Sequence, residues 1–148
     1  YIEATDLVEN ILARERSRGF CDMEIYKAFA LKVEQHRDEL LAFVQNVKKE
    51  GKTIFGYGAS TKGNVILQYC GFTSDDIPAI AEVNEYKFGR RTPGSSIIII
   101  SEKEAKVMKP DYFMVLPWHF KDNIIEREKE WINQGGHLFF PLPKLEII

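Results

Sequence analysis

The strongest constraint on the fold is the alternation of short apolar runs and amphipathic segments that begins after Gly51. The clearest run is Ile97 to Ile100, an unbroken series of isoleucines. A segment that is apolar at every position fits a strand buried on both faces, as a parallel sheet requires. The other predicted strands are Thr53 to Tyr57, Ile77 to Val83, Tyr112 to Leu116 and His137 to Phe140. Helices between about five such strands predict an α/β fold, a Rossmann-like doubly wound parallel sheet.

A helical pattern precedes these strands, from Ile2 to Lys49, and is interrupted near Gly19. We predict Asp22 as the N-cap of the second, longer helix. We expect one apolar face of this helix to pack on its own sheet rather than on another subunit. That face carries Tyr26, Phe29, Val33, His36, Leu40, Phe43 and Val47. We predict a helical arm over residues 1–50, within the same domain as a Rossmann-like part over 51–148.

Composition limits the partners of the chain. Its 148 residues suit one domain, and 20 basic against 22 acidic residues give a net charge of −2, which argues against nucleic-acid binding. We recognise no membrane-spanning stretch and no signal-peptide pattern, so we predict a cytoplasmic protein without membrane contact. Two distant cysteines form neither a disulfide framework nor a zinc pattern, and we predict no metal site. Because the chain starts at Tyr1 and not at Met, we expect it to be part of a longer polypeptide.

Ligands of doubly wound sheets bind beyond the carboxyl ends of the strands, where the strand order reverses. We predict the common order 3-2-1-4-5, which places this switch point between the first and fourth strands. Three loop segments then converge there: Gly56 to Asn64, Glu82 to Gly94, and Pro117 to His119. The sequence therefore predicts one binding crevice built from these segments.

The first segment reads GYGASTKGN and leads into a predicted helix from about Asn64 to Cys70. Glycines let a backbone turn tightly and approach a ligand, and the N–H groups at the start of a helix attract an anion. Hydroxyls and a lysine add donors for a phosphate. We therefore predict ligand contacts along the whole loop, from Gly56, Gly58, Ala59, Ser60, Thr61, Lys62, Gly63 and Asn64.

This glycine loop departs from two known phosphate-binding patterns. The dinucleotide fingerprint G-x-G-x-x-G needs a glycine where Thr61 stands. The P-loop needs a lysine where Asn64 stands. The loop residues alone therefore leave open a second interpretation, a glycine turn that only joins a strand to a helix.

The other two segments add candidate binding residues. Glu82, at the end of the second strand, is placed to accept hydrogen bonds from ribose hydroxyls. Lys87 lies among arginines and aromatic residues that are able to hold a phosphate and stack on a base. His119 follows the fourth strand and could donate a hydrogen bond or move a proton. The alternatives are a solvated basic loop around Lys87 and a purely structural His119.

Taken together, the motifs resemble a known family. They are GYGASTKGNVILQYCG, NEYKFGRRTPG, PDYFMVLPWHF and GGHLFFPLP, in this order from Gly56 nearly to the end of the chain. In order and spacing they are similar to the C-terminal domain of nucleotide-sugar C-methyltransferases. The sequence departs from that family's usual aspartate and N-P-Y-K after the second strand, where it has Glu82 and the segment Asn84-Glu85-Tyr86-Lys87.

The resemblance implies a role within a larger enzyme. Members of the family combine a zinc-binding part, a central domain that binds S-adenosylmethionine (SAM), and this domain, and they methylate a ring carbon of a nucleotide-linked keto-sugar. A base removes a proton beside the carbonyl, and the enolate attacks the methyl group of SAM. The implied partners are a dTDP-sugar or other NDP-sugar and the central methyltransferase domain. SAM and the main catalytic base would lie outside this chain, so we expect it to bind no cofactor and to bind the sugar nucleotide without turnover.

By motif match, the resemblance implies that the loop from Gly58 to Asn64 and the residues Asn84, Lys87 and Thr92 contact the sugar nucleotide. Trp118 and His119 would border the same cleft. Two alternatives stay open. One is a domain that binds NAD(P) or another dinucleotide in an oxidoreductase or a redox sensor. The other is a Rossmann-like interaction domain without a ligand.

Overall fold

The N-terminal part of the chain is helical in the computed structural model, which describes residues 5–148. Helix α1 spans Thr5–Ser17 and helix α2 spans Met23–Lys49. Between them, Gly19 adopts a left-handed φ of 75°, and the carboxylate of Asp22 accepts a hydrogen bond from the N–H of Glu24 at 3.1 Å. The predicted break near Gly19 and the predicted cap at Asp22 are therefore confirmed.

Contacts within the chain divide it into two units. The first ends at Gln35 and the second is His36–Ile148. The predicted division into a helical arm over 1–50 and a Rossmann-like domain over 51–148 stays a prediction. The predicted helix start at Ile2 lies outside the described residues.

The predicted apolar face of α2 has two different environments. In the second unit, Leu40, Val44 and Val47 are buried in the core beside strand residues. In the first unit, Tyr26 and Phe29 are 52% and 67% exposed. The expected packing of α2 on the sheet is therefore confirmed for the second half of the helix.

A six-stranded sheet forms the centre of the second unit. Its strands are β1 Ile54–Tyr57, β2 Ala79–Glu82, β3 Ile98–Ser101, β4 Tyr112–Val115, β5 His137–Phe140 and β6 Glu146–Ile147. They lie in the order β3-β2-β1-β4-β5-β6, and every pair is parallel except β5 with β6. The predicted α/β class and the predicted order of the first five strands are confirmed. Strand β6 is an addition, too short to leave a pattern in the sequence.

Helices connect the strands on both faces of the sheet. They are α3 Thr61–Tyr69, α4 Glu102–Val107, α5 Lys121–Arg127 and α6 Lys129–Asn133, with 3₁₀ turns at Glu85–Lys87 and Trp118–Phe120. The predicted capping box of α4 is confirmed, because Ser101 Oγ accepts the N–H of Glu104 at 3.2 Å and the Glu104 carboxylate accepts the N–H of Ser101 at 2.9 Å. None of the helices within residues 5–148 is both long and apolar enough to cross a membrane.

One predicted helix is divided. The sequence pattern predicts a single helix from Asp122 to Asn133, and this prediction is wrong. At Glu128 the backbone leaves helical geometry, with φ −99° and ψ 11°, and separates α5 from α6. The side chain of Glu128 is buried there, and its contacts belong to the site described below.

The sheet has a hydrophobic core on each face, because side chains alternate along a strand. On one face, helices α2 and α3 and the sheet bury Leu40, Val44, Val47, Ile54, Leu67, Phe72, Ile77, Ile80, Ile97, Met114, Leu116 and Phe139. On the other face, α4, α5 and α6 pack against Phe55, Tyr57, Ala79, Ala81, Phe113, Val115, Leu138 and Phe140. Both faces of the parallel strands are thus covered, as the isoleucine run predicts.

The outer edge of β3 is covered by the basic segment that follows β2. The N–H of Gly89 donates to the carbonyl of Ile99 at 2.8 Å, and the N–H of Ile99 donates to the carbonyl of Arg90 at 2.9 Å. Arg91 forms an antiparallel bridge with Ile98. Pairing of this kind protects an edge strand from pairing with another chain. The backbone of Arg90 and Arg91 therefore belongs to the sheet edge.

Helix α3 packs closely on the end of β4 through Gly63. A Cβ added at Gly63 would lie 2.4 Å from the Cβ of Leu116, which is too close for any larger residue. Close helix–strand packing is the role of the third glycine in the dinucleotide fingerprint. Gly63 takes this role two residues after Thr61, which stands at the fingerprint position.

Replacing Gly63 with alanine should destabilise the chain. In a helix this change alone favours folding by about 1 kcal/mol. Here the new methyl group overlaps Leu116, so we expect a net loss of at least about 1 kcal/mol in the free energy of unfolding, measured by urea denaturation. Val65→Ala, at an exposed position of α3, is the control and should change the free energy of unfolding by less than about 0.5 kcal/mol. Equal or greater stability of Gly63→Ala would contradict the packing described.

Candidate functional site

A cavity of about 350 Å³ opens at the carboxyl ends of β1, β2 and β4, and the strand order reverses between β1 and β4. Among the predicted binding residues, those that line it are Gly58, Ala59, Ser60, Glu82 and Lys87. Pro117, which opens the third predicted segment, also lines it. All three predicted segments therefore reach one crevice.

Much of the cavity wall is formed by residues that were not predicted individually as ligand contacts. They come from the ends of β1 and β2, from α4 and from the region of α5: Tyr57, Val83, Glu102, Phe120, Asn123, Ile124 and Arg127. A larger concavity, of about 430 Å³, lies beside Asp111 and Gly136, which precede β4 and β5. We take the smaller cavity as the candidate site, because doubly wound sheets bind ligands at the carboxyl ends of their strands.

Gly58 brings the two sides of the switch point into contact. Its φ of 76° lies in the left-handed region that favours glycine. A Cβ at this position would lie 2.8 Å from Cδ of Pro117, so only glycine lets the loops after β1 and β4 touch. Gly56, within β1, is similarly close to β2, since a Cβ added there would lie 2.7 Å from Cγ1 of Ile80. Both glycines therefore shape the crevice by close packing.

The carboxylate of Glu82 ties two of the predicted segments together. Its Oε2 accepts the N–H of Ala59 at 3.0 Å and a hydrogen bond from Lys87 Nζ at 2.9 Å. Its Oε1 accepts the N–H groups of Val83 at 2.9 Å and Asn84 at 3.0 Å. The residue is only 6% exposed. Each oxygen therefore already accepts two hydrogen bonds from the protein, and a contact from Glu82 to a ribose stays a prediction.

Lys87 joins Glu82 to the glycine loop. Its Nζ also donates to the carbonyl of Ala59 at 3.0 Å, so two of the three ammonium protons are used within the chain. Burial acts to raise the pKa of Glu82, but the hydrogen bonds from Lys87, Asn84 and Val83 outweigh burial and hold this pKa below its ordinary value. At neutral pH, Glu82 and Lys87 form an ion pair in the cavity wall.

Helix α3 begins at the cavity wall. Ser60, which lines the cavity, caps the helix by accepting the N–H of Gly63 on its Oγ at 2.9 Å. The next two residues, Thr61 and Lys62, are exposed and do not line the cavity. Oδ1 of Asn64 is buried and has no hydrogen-bond partner within residues 5–148. The partial positive charge of the helix N-terminus is therefore next to the cavity.

A polar network lies behind the α5 side of the cavity. The hydroxyl of Tyr57 donates to Glu128 Oε1 at 2.6 Å and accepts a hydrogen bond from Arg127 Nη2. Arg127 also donates through Nε to Glu128 Oε1 at 3.2 Å, and its Nη2 donates to Glu102. Lys106 Nζ lies 2.6 Å from Glu128 Oε2. These contacts join α4, α5 and the junction between α5 and α6 to the end of β1.

The protonation states of this network agree with its hydrogen bonds. Burial and the hydrogen bond to Glu128 raise the pKa of Tyr57 above its ordinary value, so the phenol keeps its proton. Burial acts to raise the pKa of Glu128 too, but the hydrogen bonds from Lys106 and Tyr57 hold it below its ordinary value. A neutral Tyr57 and an ionised Glu128 therefore fix the guanidinium of Arg127 in the cavity wall.

Two predicted binding residues shape turns and do not line the cavity. Asn84 Oδ1 accepts the N–H of Tyr86 at 3.1 Å and begins the 3₁₀ turn that carries Lys87. Thr92 is 7% exposed, and its hydroxyl accepts the N–H of Ile97 at 2.9 Å. Ligand contacts from Asn84 and Thr92 stay predictions.

Trp118 and His119 lie next to the cavity without lining it. Trp118 is half-buried and packs against the second core, whereas His119 is exposed with its ring centroid 4.3 Å from that of Phe120. The neighbours on either side, Pro117 and Phe120, are the ones that line the cavity. Ligand contacts from Trp118 and His119 therefore also stay predictions.

Comparison with known proteins adds an independent finding. Residues 2–143 match the family described as C-methyltransferase C-terminal domains. The chain is also 36% identical, over 146 residues, to the C-methyltransferase NovU of Streptomyces niveus. This match covers 99% of the chain and 35% of the relative, so the chain spans about a third of that relative's length.

The pH dependence of stability tests the role of Glu82. Because folding lowers its pKa, ionised Glu82 stabilises the fold above its ordinary pKa of 4.5, and this stabilisation is lost as the pH falls through the lower pKa of the folded state. We expect Glu82→Gln to lower the free energy of unfolding by about 1–2 kcal/mol at neutral pH, and by less at about pH 3.

Urea denaturation at both pH values measures this difference. Glu85→Gln, at an exposed position three residues further on, is the matched control and should stay within about 0.5 kcal/mol of the wild-type chain at both. A loss for Glu82→Gln that is the same at both pH values would contradict a stabilising ionised Glu82.

Proposed function

Since the chain belongs to the family of C-methyltransferase C-terminal domains, we propose that it binds the nucleotide-linked keto-sugar on which such an enzyme acts. Both comparisons confirm the family that the motifs indicate. The observation that carries the proposal is the cavity at the switch point. Residues of the glycine loop, of the segment after β2 and of the turn after β4 line this cavity.

The diphosphate is proposed to bind at the glycine-loop end of this cavity. Ser60 places the N-terminus of α3 at the cavity wall, and the N–H groups of a helix start attract phosphate oxygens. Lys87 has one ammonium proton beyond the two it uses within the chain. Lys62, exposed in the first turn of α3, adds a charge beside the same end. Together these groups supply donors and positive charge for an anion.

We propose that methyl transfer needs parts of the enzyme beyond this chain. In this account the methyl donor SAM binds to another domain, and the base that removes the sugar proton also lies there. Within residues 5–148, no cluster of His, Cys, Asp or Glu could hold a metal ion. The candidate cavity is lined by one glycine-rich segment, Gly58 to Ser60. The chain would then contribute binding of the nucleotide sugar, and in isolation it would not turn over.

The proposed partner of the chain is the central methyltransferase domain of the same polypeptide. Helix α1 has no buried residue, and its apolar side chains Leu7, Val8, Ile11 and Leu12 are between 37% and 62% exposed. Clustered exposed apolar side chains mark interaction surfaces. This surface supports the proposal that the helical arm contacts a further domain.

The dinucleotide alternative fits the site less well. A dinucleotide-binding domain uses the acid at the end of β2 to accept hydrogen bonds from a ribose. Glu82 stands at that position, but its oxygens accept four hydrogen bonds from Ala59, Val83, Asn84 and Lys87. A ribose would have to displace one of these, so the geometry favours the nucleotide sugar over NAD(P).

Isothermal titration of the chain with dTDP, dTDP-glucose and NAD tests the proposed function. We expect both thymidine ligands to bind saturably and more tightly than NAD. We expect Lys62→Ala to weaken both by about tenfold, because it removes a charge beside the diphosphate. Lys103→Ala removes an exposed lysine from the matching second position of α4 and should leave binding unchanged.

Three outcomes would contradict the proposal or a part of it. Preference for NAD would favour a dinucleotide-binding domain. Binding of none of the three ligands would favour a domain that serves only in contacts between proteins. Methyl transfer from SAM to a keto-sugar nucleotide by the isolated chain would contradict the proposed location of the catalytic base.

A further inference from the structure

The cavity has two chemically different ends. At one end are Ser60, Lys87 and the start of α3, which offer donors and positive charge. At the other end, α4 and α5 contribute Glu102 and Arg127 to the wall. Neither of these two residues lies in one of the three predicted ligand-binding segments.

Arg127 is held at this second end by hydrogen bonds from two of its three nitrogens. Its Nε donates to Glu128 and its Nη2 contacts Tyr57 and Glu102. A guanidinium has five N–H donors in a fixed plane, and these contacts use three of them. Within residues 5–148, no hydrogen bond involves Nη1. The side chain is 48% exposed, so two oriented donors remain beside the cavity.

The charge of this end is balanced. Arg127 and Lys106 supply two positive charges, and Glu102 and Glu128 supply two negative charges within the same network. A phosphate here would meet the carboxylate of Glu102, whose side chain is 19% exposed and lines the cavity. A neutral group avoids this repulsion. A hydroxyl matches both partners, because it can donate to the carboxylate and accept from the guanidinium.

The wall beside these polar groups is apolar. Ile124 and Phe120 of the α5 region and Pro117 line the same cavity, and Phe120 is 54% exposed. A few fixed polar groups set into an apolar wall are typical of small-molecule sites. A saturated ring that carries hydroxyls presents both C–H surface and polar groups, and so fits this combination.

We propose that Glu102 and Arg127 form a subsite for a hydroxyl-bearing ring of the bound nucleotide sugar. This proposal rests on the proposed function. It sets the orientation of the bound ligand, with the diphosphate toward the glycine loop and a ring toward α5. The ring is either the hexose or the pentose of the nucleotide, which share this hydroxyl chemistry. Tyr57 and Glu128 act as positioning residues, because they touch Arg127 and do not need to touch the ligand.

The test uses the protein at its full natural length and compares Glu102→Gln and Arg127→Lys with the wild type. Glu102→Gln keeps the shape and removes the charge, and Arg127→Lys keeps the charge and loses the planar pair of donors. Affinities for dTDP-glucose and dTDP are measured by isothermal titration. Glu126→Gln, an exposed glutamate one residue before Arg127, is the matched control.

We expect each variant to weaken dTDP-glucose binding by about tenfold, since a hydrogen bond to a charged group is lost. Unchanged dTDP affinity would assign the subsite to the hexose, and an equal loss for both ligands would assign it to the pentose. If Glu102→Gln and Arg127→Lys bind both ligands as the wild type does, while Lys62→Ala weakens both, the subsite is wrong and the proposed function stands. If the wild-type protein binds neither ligand, the proposed function fails and the subsite fails with it.

Because Arg127 also anchors Tyr57 and Glu128, Arg127→Lys could lose affinity through unfolding alone. Thermal unfolding of each variant is therefore measured beside the titration. Glu102→Gln leaves the Arg127 contacts with Tyr57 and Glu128 in place. If Arg127→Lys proves to be destabilised, the affinity of Glu102→Gln therefore decides the test of the subsite. Wild-type affinity of a fully folded Glu102→Gln for both ligands would overturn the proposal.

Discussion

The buried carboxylate of Glu82 holds the candidate site together, since it accepts hydrogen bonds from the glycine loop at Ala59 and from Lys87 in the segment after β2. These two segments are far apart in the sequence and meet only because β1 and β2 are neighbours in the sheet. A buried carboxylate is costly unless it is paired and hydrogen-bonded, and Glu82 is both. Its ionised state therefore sets the position of Lys87, the cation that we propose to meet the diphosphate.

Close backbone packing supplies the second constraint on the site. Gly58 lets the loop after β1 touch Pro117, and Gly63 lets α3 lie against Leu116 at the end of β4. The glycines thus act across the switch point between β1 and β4, where the strand order reverses. The start of α3 reaches the cavity because of this packing. In this account the glycine loop binds an anion through the helix that it positions.

Sequence patterns predicted the fold better than the site, for physical reasons. The run of isoleucines indicates burial on both faces of a strand, and together with the alternation of strands and helices it predicts a parallel sheet with helices on each side. The glycine loop and Lys87 were found because loops that follow parallel strands converge at one edge. Arg127 and Glu102 were missed, because Arg127 pairs with Tyr57 and Glu102 across 70 and 25 residues of sequence, and no local pattern marks such a contact. Thr92 matched a family motif, yet its hydroxyl is used within its own turn.

We propose that the crevice between β1 and β4 binds the nucleotide sugar, and amide chemical-shift mapping by NMR is the direct test of this binding site. The chain, labelled with ¹⁵N, is titrated with dTDP-glucose. We expect the largest shifts on amides of residues that line the cavity, those of Ala59, Ser60, Val83, Lys87 and Arg127. Shifts centred on Lys109, Gln134 and Gly135, at the opposite end of the sheet, would contradict it.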